Sequence, residues 1–365
     1  MTPSAALEGF LHLTETDVPL LETVLIGRDD DAPHGFWESL GILRAARMSE
    51  FSIPSRSFVA EVVLLRWHQL ETLILGAPSP SSLASFSNEA TVQAISRCPN
   101  LRCCKLWLSD LNAAFPAQSQ LPVVELPFLH TLELRNRAYF PTASIPFILE
   151  CLSAPNLRRL ILGGAALEIE NTHPLPRFLT VSTCLEELDV DIHSISASSL
   201  PESIRSLSDT LQRLVIRRGF SLSQPDFDDD TLDLLVPAAP GRAFCCPALN
   251  TLMIEGSRIS DPALLRFITA RMEMDGGSTL QKVLLHFDRR RTLELDLPLA
   301  PFMKAGLQVY IMYYPNDSSK LSPWCGMNNP YLPTSTSIIS QSLAVRTLAV
   351  RDSESSYHQI ESFLI

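Results

Sequence analysis

The stretch Ala154-Pro155-Asn156-Leu157-Arg158-Arg159-Leu160-Ile161-Leu162-Gly163-Gly164 decides how the rest of the chain is read. Leu157, Leu160 and Leu162 stand at positions one, four and six of the line, and two glycines end it. Positions four and six share one face of a strand, because strand side chains alternate. Position one is an anchor just ahead of that strand.

The same line recurs. Its first apolar position is Leu21, Met48, Leu70, Leu101, Leu129, Leu157, Leu185, Leu211, Leu249, Leu280 and Leu307, at intervals of 27, 22, 31, 28, 28, 28, 26, 38, 31 and 27 residues. Leucine richness alone does not give three consecutive intervals of 28. Helix-like segments lie between lines: FWESLGILRAA, ATVQAISRC, SIPFILECL, LPESIRSLS and DPALLRFITARM. In the last, Asp261 reads as the N-cap and Pro262 as the first-turn residue. A strand-helix unit of this size cannot bury its apolar side alone, and stacking such units makes a continuous core. The expected fold is α/β: a leucine-rich-repeat solenoid, a horseshoe of about eleven irregular repeats with a parallel sheet on its concave side. A (β/α)8 barrel is the rival at this period, but it wants eight units rather than eleven. The repeats should span residues 1–315, with a loop-rich tail over 316–365. The interval from Leu211 to Leu249 carries an insertion rich in Asp and Pro.

The 365 residues are 46% hydrophobic and 19% charged, with a net charge of −11, which disfavours nucleic acid or an acidic membrane as the main partner. No apolar run reaches the length of a membrane span, and the N-terminus lacks a signal-peptide pattern. A cytoplasmic or nuclear location is expected. The eight cysteines include no C-x-x-C and read as small buried hydrophobes.

Several lines resemble the leucine-rich-repeat portion of the large F-box protein family of mushroom-forming fungi. The residues that carry the likeness are LLRWHQLETLIL (64–75), VELPFLHTLEL (124–134), ECLSAPNLRRLIL (150–162) and the block at 228–271 with its CPAL strand entry. The resemblance implies a horseshoe that holds a protein substrate for a cullin–RING ubiquitin ligase. The twenty residues before Leu21 show neither the leucine–proline start nor the aromatic-rich helix of an F-box. The expectation is therefore a repeat region without its adaptor-binding module, either a ligase subunit or a stand-alone relic of one.

No phosphate-cradling, nucleotide-binding, nucleophile-elbow or zinc-protease motif is present, so no catalytic, cofactor-binding or metal-ligating residue stands out. Stepping a calcium loop from Asp226 puts Thr231 at the required glycine and Pro237 at the bidentate glutamate, so Asp228 to Asp230 read as the start of a helix. Arg289 to Arg291 read as a solvated loop.

The candidate site is the concave face. Positions three, five and seven of each line point there. The partner-binding candidates are Lys105, Trp107, Glu133, Arg135, Arg159, Glu187, Asp189, Asp191, Arg213, Arg217, Met253, Glu255, Lys282 and His286. A banded face with a tryptophan and several arginines suits recognition of a protein. The competing expectation is that neighbours such as Glu133 and Arg159, or Asp189 and Arg213, simply pair across strands. A β/α enzyme and a structural remnant without a partner are the other two functional readings.

Overall fold

In the computed structural model every residue of the opening stretch has a task. Ala154 is buried, and its carbonyl accepts from the Leu157 N–H and from Ser182 Oγ. Asn156 Nδ2 donates to the Pro127 carbonyl of the preceding repeat at 2.7 Å. Leu157, Leu160 and Leu162 are buried in the core. Gly164 has φ +91, and a Cβ there would lie 2.5 Å from the Asn136 carbonyl oxygen. Only glycine adopts that turn against its neighbour at no steric cost.

The structure describes residues 12–26, 40–53, 65–76, 87–108, 122–136, 144–164, 174–195, 199–218, 227–236, 245–274, 280–287 and 289–313. Each of the eleven lines is a strand. They are β1 (Thr23–Leu25), β2 (Glu50–Ile53), β3 (Thr72–Leu75), β4 (Cys103–Leu108), β5 (Thr131–Asn136), β6 (Arg159–Gly163), β7 (Glu187–Asp191), β8 (Arg213–Arg217), β9 (Thr251–Glu255), β10 (Lys282–Phe287) and β11 (Gln308–Tyr313). All neighbours pair in parallel, in strict chain order, so β1 and β11 are the two edges of one open sheet. A barrel would pair those edges, and that rival is thereby excluded. A separate pair of two-residue strands, Val124–Glu125 and Leu152–Ser153, runs parallel in a second sheet.

Seven α-helices lie between strands among the described residues: α1 (Asn88–Ser96), α2 (Ser144–Glu150), α3 (Leu175–Val181), α4 (Leu200–Arg205), α5 (Asp229–Asp233), α6 (Asp261–Met272) and α7 (Asp296–Lys304). They pack on one side of the sheet through a single apolar core that runs from Leu40 to Val309. Helices are about 10 Å across and paired strands about 4.8 Å apart, so a one-sided stack must bend with the sheet inside. The fold is the expected leucine-rich-repeat solenoid. In the described part of FWESLGILRAA, only a single 3-10 turn forms, Gly41–Arg44. The end of the repeat domain near 315 and the tail over 316–365 lie outside the described residues.

The eleventh line differs from its reading. Lys282 pairs with Gln308, so position three of β10 faces position two of β11. The line is one residue short, and alternation runs through Val309 and Ile311 instead. Gly306 makes the slip possible: at φ +107 it closes α7 with Leu307 N–H on the Phe302 carbonyl and its own N–H on Met303.

The cap of α6 is Ser260, whose side chain accepts from the Ala263 N–H, rather than Asp261. Asp228 caps α5 by accepting from the Thr231 N–H, and Asp229 accepts from Ser260 N and Oγ, so the described part of the acidic run serves helix starts. The insertion is tied down by Arg271, the largest fully buried side chain. It donates to the carbonyls of Leu235, Cys246 and Cys245 at 2.8, 2.8 and 2.9 Å. Burial pushes the Arg271 pKa down to about 10, yet the group stays charged at neutral pH. The clamp also holds Cys246 at φ 56, a conformation few side chains tolerate.

Three substitutions check this account by denaturation midpoint. Gly164→Ala meets both positive φ and the Asn136 oxygen, and should cost about 2 kcal/mol or more; Gly306→Ala meets open space and should cost about 1 kcal/mol. Arg271→Leu removes the guanidinium donors to the Leu235, Cys245 and Cys246 carbonyls, of which Cys246 alone keeps a backbone partner in Leu249 N–H, and should cost about 3 kcal/mol.

Candidate functional site

The open face is built by register. Cys103, Thr131, Arg159, Glu187, Arg213, Thr251 and Lys282 form one row across β4–β10. Lys105, Glu133, Ile161, Asp189, Val215, Met253 and Leu284 form the middle row. In the third row Trp107 faces Arg135, Arg135 faces Gly163, Asp191 faces Arg217 and Glu255 faces His286. All fourteen candidates therefore lie on one face, held there by strand alternation.

They do not all offer surface. Val215 and Met253 are buried to 0% and 2% exposure although they belong to the open face. Val215 sits between the Arg213 and Arg217 arms of its own strand and beside Asp189 and Met253 of its neighbours. Met253 is a poor contact residue for that reason, contrary to its place among the candidates. Glu133 and Asp189 are buried as well. Trp107 is partly exposed, and its backbone packs on Gly76, where a Cβ would lie 2.8 Å from Trp107 Cβ.

The charged groups pair, but not as Glu133–Arg159 or Asp189–Arg213. Glu133 bridges Lys105 Nζ at 4.0 Å and Arg135 Nε of its own strand. Glu187 bridges Arg159 and Arg213, both through Nε at 3.2 Å. Asp189 takes a two-point pair from Arg217, at 2.8 and 3.0 Å. That hydrogen bond raises the Arg217 pKa. Gly163 has a part in this, since a Cβ there would come within 3.3 Å of Arg135 Nη1. The missing side chain leaves Arg135 room to lie across β6. On the rim, Arg102 pairs with Glu71 and Arg158 with Glu186.

Glu255 and His286 are adjacent and half-buried. Burial raises the Glu255 pKa against the opposing pull of Arg217, and burial lowers that of His286. Both shifts favour the neutral forms, as desolvation does. Among the described residues no three His, Cys, Asp or Glu side chains come together to hold a metal ion. Burial pushes the Cys98 and Cys246 thiols up to about 12 and Cys104 well above its ordinary value, so these sulfurs are packing groups rather than nucleophiles.

The basic cluster after β10 is not a solvated loop. Arg289 is clamped over the Phe287 ring at 4.4 Å and reaches the Ile259 carbonyl and Asp261 Oδ1. Asp261 is fully buried and also accepts from Thr292 N and Oγ, Leu293 N and Tyr313 OH. Burial alone would raise the Asp261 pKa, but the bonds from Arg289, Thr292 and Leu293 outweigh it and hold the carboxyl well below the usual carboxylate range. Burial and the bond to Asp261 raise the Tyr313 pKa. This knot locks the last described repeat onto α6. Arg291 pairs with Asp296 and Glu294.

No protein-family model matches the sequence. No curated protein matches it. Among solved structures the chain is similar to the leucine-rich-repeat-containing protein LegL7 from Legionella pneumophila, at 13% identity and a TM-score of 0.30, over 77% of this chain and 96% of that one.

The Asp261 knot gives a pH test. Because its folded pKa is depressed, its contribution is fully present above the unfolded value of about 3.9 and is lost as pH falls below it. Asp261→Asn should lower the denaturation midpoint at neutral pH and flatten its decline below about pH 4. Parallel curves for the two proteins would deny Asp261 that role.

Proposed function

We propose that the chain is a non-enzymatic protein-binding solenoid whose partner lies on the open face of the sheet. One observation carries the reading: among the described residues no helix packs on one face of the eleven-stranded parallel sheet, and that face presents Trp107 and a field of arginines. Partly exposed Trp and Arg side chains are the residue types most often found at interface hot spots. The free state of every described cysteine suits a reducing compartment, in keeping with the cytoplasm or nucleus. No described helix is long and apolar enough to cross a membrane.

The resemblance of the repeat lines to fungal F-box proteins gives the finer reading. The solenoid would hold a protein substrate for a cullin–RING ubiquitin ligase, or descend from a chain that did. In that role it does no covalent chemistry and acts by position alone. A second reading, a structural solenoid without a partner, draws on the ion pairs that occupy Glu133, Glu187 and Asp189.

Affinity purification of the tagged chain from its native cells, with mass spectrometry, separates these. Adaptor and cullin subunits in stoichiometric amount support the ligase reading. Another recurrent partner, weakened about tenfold by Trp107→Ala, supports a stand-alone binding module. A preparation with neither, and insensitive to Trp107→Ala, supports the structural reading.

A further inference from the structure

We propose that the open face over β4–β8 docks an acidic protein segment whose Asp or Glu carboxylates meet the guanidinium groups of Arg135, Arg159, Arg213 and Arg217. This rests on the reading of that face as a protein-binding surface and names the chemistry of the partner.

The charge of this face differs from that of the chain. The whole chain is −11, and the banding of signs along the rows looks neutral. Depth breaks the symmetry. The side chains of Glu133, Glu187 and Asp189 are 12, 23 and 8% exposed. Those of Lys105, Arg135, Arg159, Arg213 and Arg217 are 37, 43, 49, 44 and 41% exposed. The carboxylates lie beneath and the cations lie above them. With Asp191, which stands beside Arg217, the five cations face four acids and leave a surplus of one positive charge. Because three of those acids lie beneath the guanidinium layer, what an approaching molecule meets first is cationic.

The buried acids also organise that layer. Each guanidinium has five N–H donors and a carboxylate engages at most two of them, so donors remain for an outside acceptor. Glu187 lies 3.2 Å from the Nε of both Arg159 and Arg213, an ion pair that draws the two stems together without consuming their forks, although Arg213 Nε itself makes no hydrogen bond. A long side chain already held by a neighbour loses less conformational freedom on binding than a free one. The arrangement is a set of pre-positioned arginines.

Its dimensions suit an extended peptide. Arg159 on β6 and Arg213 on β8 are two strands apart, roughly 10 Å at ordinary strand spacing. A peptide in the polyproline-II conformation advances roughly 3.1 Å per residue with three residues per turn, so carboxylates three residues apart share one side and match that pair when the peptide crosses the strands. A nucleic acid fits less well. A long polyanion would pass over Asp191 and Glu255 next to Arg217, and over the rim acids Glu71 and Glu186. A short acidic segment can keep to the arginine field.

Fluorescence anisotropy of the full chain tests this with three short labelled peptides, bearing Glu, Gln or Lys at every third position, and with a single-stranded RNA. The expected result is binding of the Glu peptide alone, weaker at high salt. The double change Arg159→Gln/Arg213→Gln should weaken it about tenfold, while Arg159→Lys/Arg213→Lys, which keeps the charge, should stay within a few-fold. Arg66→Gln, outside the sheet, should leave it unchanged. Thermal melts confirm that each variant is folded. Equal binding by wild type and the Gln pair, no binding of the Glu peptide, or preference for the RNA each overturns the inference. Binding of the Gln or Lys peptide that Trp107→Ala abolishes overturns the acidic partner while leaving the face as a protein-binding surface.

Discussion

Each junction between repeats turns on one peptide carbonyl. The carbonyl at position two of a line accepts two N–H groups from the next, those of positions two and three. Glu186 O, for example, takes Gln212 N at 2.8 Å and Arg213 N at 3.0 Å. The same fork joins Glu22 to Ser49 and Glu50, and continues junction by junction to Asn250 with Gln281 and Lys282. The anchors of the first nine lines are each delivered to it by a tight turn, as in Leu157 N–H on the Ala154 carbonyl. A parallel pair has no hairpin to set its register, so the fork and the anchor must do so together. A one-residue slip would turn every apolar side chain outward.

Zero slip is what makes a face. From β1 to β10 position three lies beside position three, so side chains from ten separate lines form straight rows. The rows then set their own energetics. In the middle row, small or apolar side chains such as Ile161 and Val215 are covered by the longer arms on either side. Acids in or beside that row are partly shielded from water and would be costly without partners. Arginine and lysine reach them and keep their own heads in solvent, because their stems are long. The vertical order of charge therefore follows from side-chain length.

Much of this was legible in the sequence. The apolar pattern at positions one, four and six is a two-residue period with an anchor, and it located all eleven strands. It failed only where the line is short, at β11, because the slip depends on Gly306 closing α7. The face was legible for the same reason, while the choice of ion partners was not. Arg135 reaches back to Glu133 within its own strand because Gly163 leaves space beside it, and that is a fact about a neighbouring repeat. Asp261 was read as the cap of α6, yet the serine that stands before it is an equally good capping residue. What decided it was Arg289, which arrives 28 residues later and takes the Asp261 carboxylate for itself. Arg271 did carry a local signal. It follows Leu264, Phe267 and Ile268 at helical spacing and so falls on the buried face of α6.

The two buried charges outside the open face show why an irregular solenoid can keep a regular sheet. Regular repeats satisfy their loop carbonyls from within, often by an Asn or Cys at position nine. Here Ser257 stands there in the ninth line, and the interval before it is 38 residues. The extra chain brings the carbonyls of Leu235, Cys245 and Cys246 together at the edge of the core, where Cys246 accepts one backbone N–H, that of Leu249, besides the guanidinium. A single guanidinium with donors spread over its plane answers all three, which an ammonium could do only by compromise. At the far end Asp261 performs the complementary service, gathering donors from Arg289, Thr292, Leu293 and Tyr313. One buried cation and one buried anion, both on α6, thus absorb the irregularity on either side of it. The strands on both sides of α6 keep their register, and the arginine field on the other face is left undisturbed.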